Sequence, residues 1–505
     1  MKSTPSVRNN IAANFAGRAW KGVFSLAFVP IYINLMGVEA YGLIGIFMSL
    51  TALLSILDMG LSATLSRELS RLSVAENSAQ ESRNLVRTFE VIYWGIGILI
   101  GISVVILAPI IAKYWINSSK VSSDIIEQSL LIMGMLLAFQ WPGTIYTGGL
   151  RGIQRQVSLN MIQAVSIVVK HFGAVLILLF ISPSIVLFFL WQAFVALFST
   201  IVLAIWLWRS LPKTGRNSIF DKGLLVKNWQ FTSGMIGISV LVIILTQLDK
   251  IILSKMLSLE MFGYYMLAFS VASVLVSLVS PVRSALFPRL SQLVAGGDEA
   301  EITKLYHKGC QLVSIIILPI AVTLAFFSEE MLTLWVGDPV IANNTHMILS
   351  LLVVGSVING LMTLPYTLQL AYGWTKLTIY KNIIAIILLV PLMIWMVQMY
   401  HGIGAAMAWV ILNLGYIIFE IPVMHQRLLK NEMGRWYRRD IFLPVLIVTI
   451  IGFVGREILP ADSSKPIILL VILFTCVISF AASAWATGNL NREALSLLRG
   501  KNRTI

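Results

Sequence analysis

Long apolar stretches separated by short polar segments recur along the whole chain. A membrane-spanning helix needs roughly 20 predominantly apolar residues, and these stretches lack the alternating pattern of a membrane β-strand. The pattern therefore predicts an all-α polytopic membrane protein with about 14 transmembrane helices. They are expected near residues 13–35, 42–65, 90–113, 127–150, 157–181, 184–207, 232–255, 262–287, 311–335, 346–371, 382–399, 403–424, 441–458 and 466–486.

Basic residues lie mainly on one side of this predicted topology. Of 37 Lys and Arg residues, 29 fall in the tails and alternate loops that we place inside, when Arg18 and Lys21 near the start of the first span are counted with the N-terminal tail. The outer loops contain five, which are Lys113, Lys120, Lys255, Arg456 and Lys465. Cytoplasmic loops carry an excess of Lys and Arg, so both termini are expected in the cytoplasm. No cleavable signal is recognisable at the N-terminus, and the first span is expected to be retained.

The composition supports this interpretation. The chain is 58% hydrophobic and 12% charged, with a net charge of +14, whereas soluble domains are about 25% charged. The positive charge indicates topology and contact with anionic lipids rather than nucleic acid. With two Cys residues and no recognisable catalytic or nucleotide-binding motif, we expect no enzyme activity, no metal and no cofactor.

The chain also contains an internal repeat with an offset of 221 residues. Glu39 and Gly42 match Glu260 and Gly263, within segments 39–72 and 260–293. Six predicted spans separate the copies, so both halves insert the same way up. We expect an N-lobe at 1–218 and a C-lobe at 219–430, each with six helices, around a central cleft. Residues 431–505 would add two further spans and a cytoplasmic tail.

Eight of the ionisable residues within the predicted spans are of interest, because charge is costly there and usually faces a cavity or a partner. Five cations are candidate substrate-binding groups, and three acids are candidate coupling or ion-pair groups. The cations are Arg18, Lys21, Lys170, Lys250 and Arg283, and the acids are Asp58, Asp249 and Glu420.

These eight positions differ in what they indicate. Lys170 lies near the middle of its span, too deep to reach either interface comfortably. Arg18 and Lys21 share one helix face, and snorkelling to the inner headgroups is the competing interpretation. Asp249 and Lys250 point about 100° apart on a helix, so each is expected to need a partner elsewhere. For Asp58, Arg283 and Glu420 the alternative is solvation at a helix end or an ion pair between helices.

The excess of cations predicts a cleft that attracts an anionic substrate such as a phosphate or a uronate.

Three segments resemble the polysaccharide exporter branch of the multidrug/oligosaccharidyl-lipid/polysaccharide superfamily, which includes the Wzx-type O-antigen and capsule flippases. They are the opening region from Asn9 to Gly42, LDMGLSATLSRELSR (57–71) and QLDKIILSKMLSLEMFGYYMLA (247–268). Arg18 and Asp249 match charged positions common in these flippases. The resemblance implies alternating access and an undecaprenyl-pyrophosphate-linked oligosaccharide, moved between leaflets of the bacterial inner membrane. A polymerase and a chain-length regulator would be candidate protein partners.

Two alternatives remain at this point. One is a proton- or sodium-coupled efflux pump for organic cations from the same superfamily, although the first span lacks the acidic residue common in those pumps. The other is a membrane scaffold without transport activity, which the internal duplication disfavours.

Overall fold

The computed structural model describes residue 17 and residues 20–58, 60–75, 78–460 and 463–487, without the side chains of 225–239. Over these residues the chain consists of helices joined by turns and loops, with one isolated bridge between Asn117 and Ser258. Eleven of the described helices are long and apolar enough to cross a membrane. The expectation of an all-α polytopic membrane protein is therefore confirmed.

The chain divides into two compact units, Met1–Gly263 and Tyr264–Ile505. The predicted lobe boundary at residues 218 and 219 stays a prediction. The first unit contains the helices α1 (Trp20–Met36), α2 (Val38–Leu54), α3 (Leu61–Leu72), α4 (Ala79–Tyr114), α5 (Ser123–Gln140), α6 (Gly143–Gly152), α7 (Gln156–Phe180), α8 (Ile185–Ser210) and α9 (Lys222–Met256).

The boundary between the units falls within α10 (Leu259–Gly296). The second unit continues with α11 (Glu299–Phe326), α12 (Ser328–Val336), α13 (Pro339–Leu361), α14 (Thr363–Ala371), α15 (Thr375–Gly415), α16 (Ile421–Leu428), α17 (Leu443–Ile458) and α18 (Lys465–Ala486). A π-helical turn at 416–420 joins α15 to α16, and a second one at 436–442 precedes α17.

Several predicted spans contain breaks that hydropathy does not reveal. Stretch 42–65 is interrupted between α2 and α3 by a 3₁₀ turn and by Gly60, whose φ of 75° favours glycine. Stretch 127–150 breaks between α5 and α6 at Pro142, which has no N–H to continue the helical hydrogen bonds. Stretches 382–399 and 403–424 lie in one continuous helical segment, divided by non-helical backbone at His401.

The internal repeat is visible in the helix boundaries. Helix α2 begins at Val38 and α10 begins 221 residues later, at Leu259. Helix α5 ends at Gln140 and α13 ends 221 residues later, at Leu361. The order of helices from α2 to α8 therefore recurs from α10 to α16, although some boundaries differ. Helix α10 spans the equivalents of α2 and α3, α11 and α12 together span the equivalent of α4, and α15 spans the equivalent of α7 and the start of that of α8.

Two glycines at equivalent positions of the repeat allow close backbone packing within the first unit. A Cβ on Gly42 would lie 2.6 Å from the carbonyl oxygen of Leu259. A Cβ on Gly263 would lie even closer to the carbonyl oxygen of Val38. The two contacts are reciprocal, because Val38 and Leu259 are themselves equivalent in the repeat. This close approach explains why glycine recurs at both positions.

We expect Gly263→Ala to destabilise the protein by roughly 1–3 kcal/mol, because the added methyl group meets fixed backbone. Thermal unfolding of the purified protein in detergent would show this as a lower Tm. Gly296→Ala is the control, since a Cβ there meets nothing within 4 Å. Equal Tm values for the two variants would contradict the close-packing interpretation.

Candidate polar pocket in the first unit

A cavity of about 890 Å³ lies within the first unit, between α1, the turn that precedes α3, and helices α3, α5, α6, α7 and α8. Most of its lining side chains are polar, although the helices that carry them are predominantly apolar. A polar cavity among apolar helices is the arrangement by which membrane transporters accommodate hydrophilic cargo.

Each lining helix contributes one face of its surface. On α7 the lining residues Gln163, Ser166 and Lys170 follow a spacing of three and four residues, which places them on the same side of the helix. On α8 the face begins with Gln192 and continues through Ser199. The hydroxyl groups of Ser166 and Ser199 lie 2.9 Å apart and join the two helices at the pocket wall.

Helices α3 and α6 add a second group of hydroxyl-bearing residues. Ser62, Ser66 and Ser70 form a stripe with a spacing of four residues along α3. Thr144 and Thr147 provide the corresponding groups on α6. Close packing of the two helices depends on small residues on α6, and the Ser70 hydroxyl donates a hydrogen bond of 2.8 Å to the Gly152 carbonyl.

The charged lining of the pocket is predominantly positive. Its described lining includes the cations Lys21, Arg67, Arg151 and Lys170, and a single acid, Asp58. Three candidates from the sequence, Lys21, Lys170 and Asp58, are thus brought together in one cavity. Arg67 and Arg151 are among the 29 basic residues that the sequence places in the tails and inner loops, and the charge pattern does not predict their position in the pocket lining.

Lys170 lies midway along α7 and is partly buried. No described acidic side chain forms an ion pair with it, and Lys21 lines the same cavity. The Lys170 ammonium therefore faces the cavity and is not neutralised by a described acidic side chain. A phosphate or carboxylate in the pocket would supply the missing counter-charge.

Arg67 is partly compensated by its neighbour Glu68, which lies 2.7 Å away. Burial raises the pKa of Glu68, but hydrogen bonds from Arg67 and Arg71 together outweigh it and hold the pKa below its ordinary value. The Glu68 carboxylate consequently stays ionised at neutral pH. It orients the two guanidinium groups at the rim of the pocket.

Asp58 is held by two hydroxyl donors at the edge of the pocket. The Tyr93 phenol donates to one carboxylate oxygen, and the Ser62 hydroxyl donates to the other over 2.8 Å. Its carboxylate is thus fixed by neutral groups. The single acid in the described lining is therefore held by hydroxyl groups rather than by a pocket cation.

The structure corrects the expectation for Asp249 and Lys250. The Lys250 ammonium lies 2.9 Å from both carboxylate oxygens of Asp249 and also donates to the Thr246 carbonyl over 2.9 Å. The long lysine chain bends back along α9, so the 100° angle between the two residues does not prevent pairing. Lys250 is buried, and the carboxylate of the adjacent Asp249 neutralises its charge.

Glu420 and Arg283 both lie in the second unit. The Glu420 carboxylate accepts hydrogen bonds from Lys381, at 2.6 and 2.7 Å, and from Gln369, at 2.8 Å. An ion pair between helices, the alternative interpretation for Glu420, is thus the arrangement found, and its partner Lys381 was missed. Arg283 is exposed on α10. Arg18 lies outside the described residues.

We expect Glu420→Gln to lower stability by about 3–5 kcal/mol, because it leaves the ammonium of Lys381 without its buried counter-charge. The exposed pair of Lys304 and Glu301 provides the control, since Glu301→Gln should cost less than about 1 kcal/mol. Thermal unfolding in detergent measures both. A similar, small Tm shift for the two variants would show that the Glu420 pair is not structurally important.

Known proteins are similar to this chain in sequence or in fold. A Shigella flexneri protein that carries the name O-antigen transporter is 22% identical over 417 residues, covering 80% of this chain and 94% of the relative. The lipid II flippase MurJ in an inward closed conformation has a TM-score of 0.70 at 17% identity, over 96% of this chain and all of MurJ. These matches are transporters and flippases, not enzymes.

An inward-facing multidrug resistance MATE transporter of the MOP superfamily has a TM-score of 0.61 at 14% identity, covering 82% of this chain and 96% of the transporter. At such identities the structural matches establish the fold. The model of the family described as "Polysaccharide biosynthesis protein" matches residues 34–340, more than half of the chain. The chain therefore belongs to this family of polysaccharide biosynthesis proteins, as its resemblance to polysaccharide exporters predicted.

Proposed function

We propose that the protein is a flippase that moves undecaprenyl-pyrophosphate-linked oligosaccharide from the cytoplasmic to the periplasmic leaflet of the bacterial inner membrane. The observation that carries the proposal is the pocket whose described lining contains four cations and one acid. Guanidinium and ammonium groups bind phosphate and carboxylate through charge-assisted hydrogen bonds.

The uncharged part of the lining suits the other half of this cargo. Hydroxyl and amide side chains from α3, α6, α7 and α8 offer many donors and acceptors to the same space. A saccharide presents a similar density of hydroxyl groups, whereas a lipophilic drug would be expected to favour an apolar, aromatic pocket. Cations and hydroxyls in one cavity therefore support an anionic, sugar-bearing substrate.

The relatives support the same type of cargo. One is named as a transporter of O-antigen and another as a flippase of a lipid, so we infer a saccharide on a lipid carrier. The drug-pump alternative shares the fold, but a pump for organic cations would require a predominantly negative pocket. The charge balance of this pocket favours the lipid-linked anion.

The proposed mechanism follows from the positions of the cations. In the predicted topology Arg67 and Arg151 lie at the cytoplasmic end of the pocket, where they attract the diphosphate by long-range electrostatics. Lys170 binds the anion deeper in the membrane, while the prenyl chain remains in the lipid. Alternating access would then expose the pocket to the periplasm. A polymerase and a chain-length regulator would act on the cargo after release.

Lys170→Met should reduce translocation by about 10- to 100-fold, the amount expected from loss of a charge-assisted hydrogen bond. Surface polysaccharide in a strain that relies on the variant gives the readout, with membrane insertion checked by immunoblot. Lys170→Arg retains the charge and should retain most of the activity. Lys213→Met removes an exposed lysine outside the pocket and should have no effect. Wild-type polysaccharide with Lys170→Met would contradict the anion-binding role.

We further propose that Asp58 is the coupling acid, because the Tyr93 and Ser62 hydroxyls hold it at the pocket edge. Asp58→Asn preserves the shape and should leave substrate binding intact, but transport should no longer respond to a proton or sodium gradient. Proteoliposomes with and without an imposed gradient test this. An unchanged response to both gradients would exclude Asp58 as the coupling site.

A further inference from the structure

Two buried polar groups in the pocket wall have no hydrogen-bond partner among the described residues. The first is the side-chain amide of Gln192 on α8, which is 2% exposed and lacks a partner at both its oxygen and its nitrogen. The second is the indole N–H of Trp141, which is 7% exposed and lies at the break between α5 and α6. Both residues line the 890 Å³ cavity.

A buried polar group without a hydrogen-bond partner lowers the stability of the folded protein. A buried donor or acceptor without a partner costs about 1–3 kcal/mol, whereas an apolar side chain of the same shape removes that cost. Buried polar groups are therefore usually paired, and exceptions call for a specific explanation. Gln192 presents an amide donor and an amide acceptor, and Trp141 presents one donor.

The internal repeat provides a direct comparison for Gln192. The residue 221 positions later is Asn413, and both polar atoms of its amide have partners in the second unit. The Asn413 oxygen accepts from Asn359 over 2.9 Å, and its nitrogen donates to the Trp409 carbonyl over 2.8 Å. The position equivalent to Asn359 in the first unit is Ala138. The first unit thus retains the buried amide but lacks the side chain that would satisfy it.

The orientation of Trp141 is fixed by packing. Its ring stacks against Tyr93, with 6.1 Å between ring centroids and 21° between planes. The Tyr93 hydroxyl is itself engaged with Asp58. A fixed ring holds the indole N–H in a fixed direction, as is required of a group that recognises a ligand.

We propose that Gln192 and the Trp141 indole N–H recognise the saccharide of the cargo and determine its specificity, while the cations bind its anionic group. This inference rests on the proposed function and assigns recognition of the saccharide to residues other than the cations. The substituents that fit are uncharged ones with a donor and an acceptor close together, namely an acetamido group or a pair of adjacent hydroxyls.

The test compares two lipids on the purified full-length protein. One is undecaprenyl pyrophosphate without sugar, and the other carries the host's oligosaccharide. Gln192→Met should weaken binding of the glycosylated lipid by about tenfold, as expected for loss of a hydrogen bond to ligand, and leave binding of the sugar-free lipid unchanged. Its Tm should be equal to or higher than that of the wild type, because an unpaired polar group has been removed.

Asn413→Met is the matched control, since it removes hydrogen bonds that are made within the protein. It should lower the Tm and leave the ratio of the two affinities unchanged. Trp141→Phe keeps the ring and removes the donor, so it should act like Gln192→Met. Trp191→Phe loses an N–H outside the pocket, bonded to the Val169 carbonyl, and should leave the ratio unchanged.

The outcomes separate this inference from the proposed function. If wild-type protein binds neither lipid, the flippase proposal fails. If it binds both and Gln192→Met weakens them equally, the amide serves the diphosphate and the saccharide assignment is overturned. Unchanged affinity for the glycosylated lipid in both Gln192→Met and Trp141→Phe would also overturn it. Comparing an oligosaccharide with and without acetamido groups then identifies the recognised substituent.

Discussion

The structure is governed by the cost of placing charge among apolar helices. An ammonium or carboxylate in the membrane interior must be paired, or must face a polar cavity. Lys250 is neutralised by Asp249 in the first unit, and Lys381 by Glu420 in the second. Lys170 forms no ion pair among the described residues and lines the polar cavity instead. The paired charges of Lys250 and Lys381 are therefore structural, whereas the charge of Lys170 is available to a substrate.

The internal repeat shows how the two halves have diverged in chemistry while keeping the same order of helices. Positions that carry Ser199 and Gln192 in the pocket of the first unit carry Glu420 and Asn413 in the second. In the second unit these side chains are satisfied by protein partners. In the first unit both side chains line a cavity, where Ser199 bonds to Ser166 and the Gln192 amide has no partner among the described residues.

The fold was largely predictable because hydropathy and the distribution of basic residues act over whole helices. Breaks such as the one at Gly60 depend on local backbone geometry, and hydropathy gives no information on that geometry. For the site, Lys170 stood out by its depth, but Arg67 and Arg151 were hidden among basic residues that also set the topology. The serines spaced by four along α3 were a readable signal of a polar helix face. The pairing of Asp249 with Lys250 depended on a side-chain conformation that spacing alone does not determine.

The flippase function is tested most directly by translocation with wild-type protein reconstituted into liposomes. Undecaprenyl-pyrophosphate-linked oligosaccharide is placed in one leaflet, and its arrival in the other is followed with a membrane-impermeant enzyme that cleaves the saccharide. A fluorescent lipophilic cation is tested in parallel. We expect the glycosylated lipid to cross when the protein is present and the cation not to cross. Movement of the cation without movement of the lipid would contradict the flippase function.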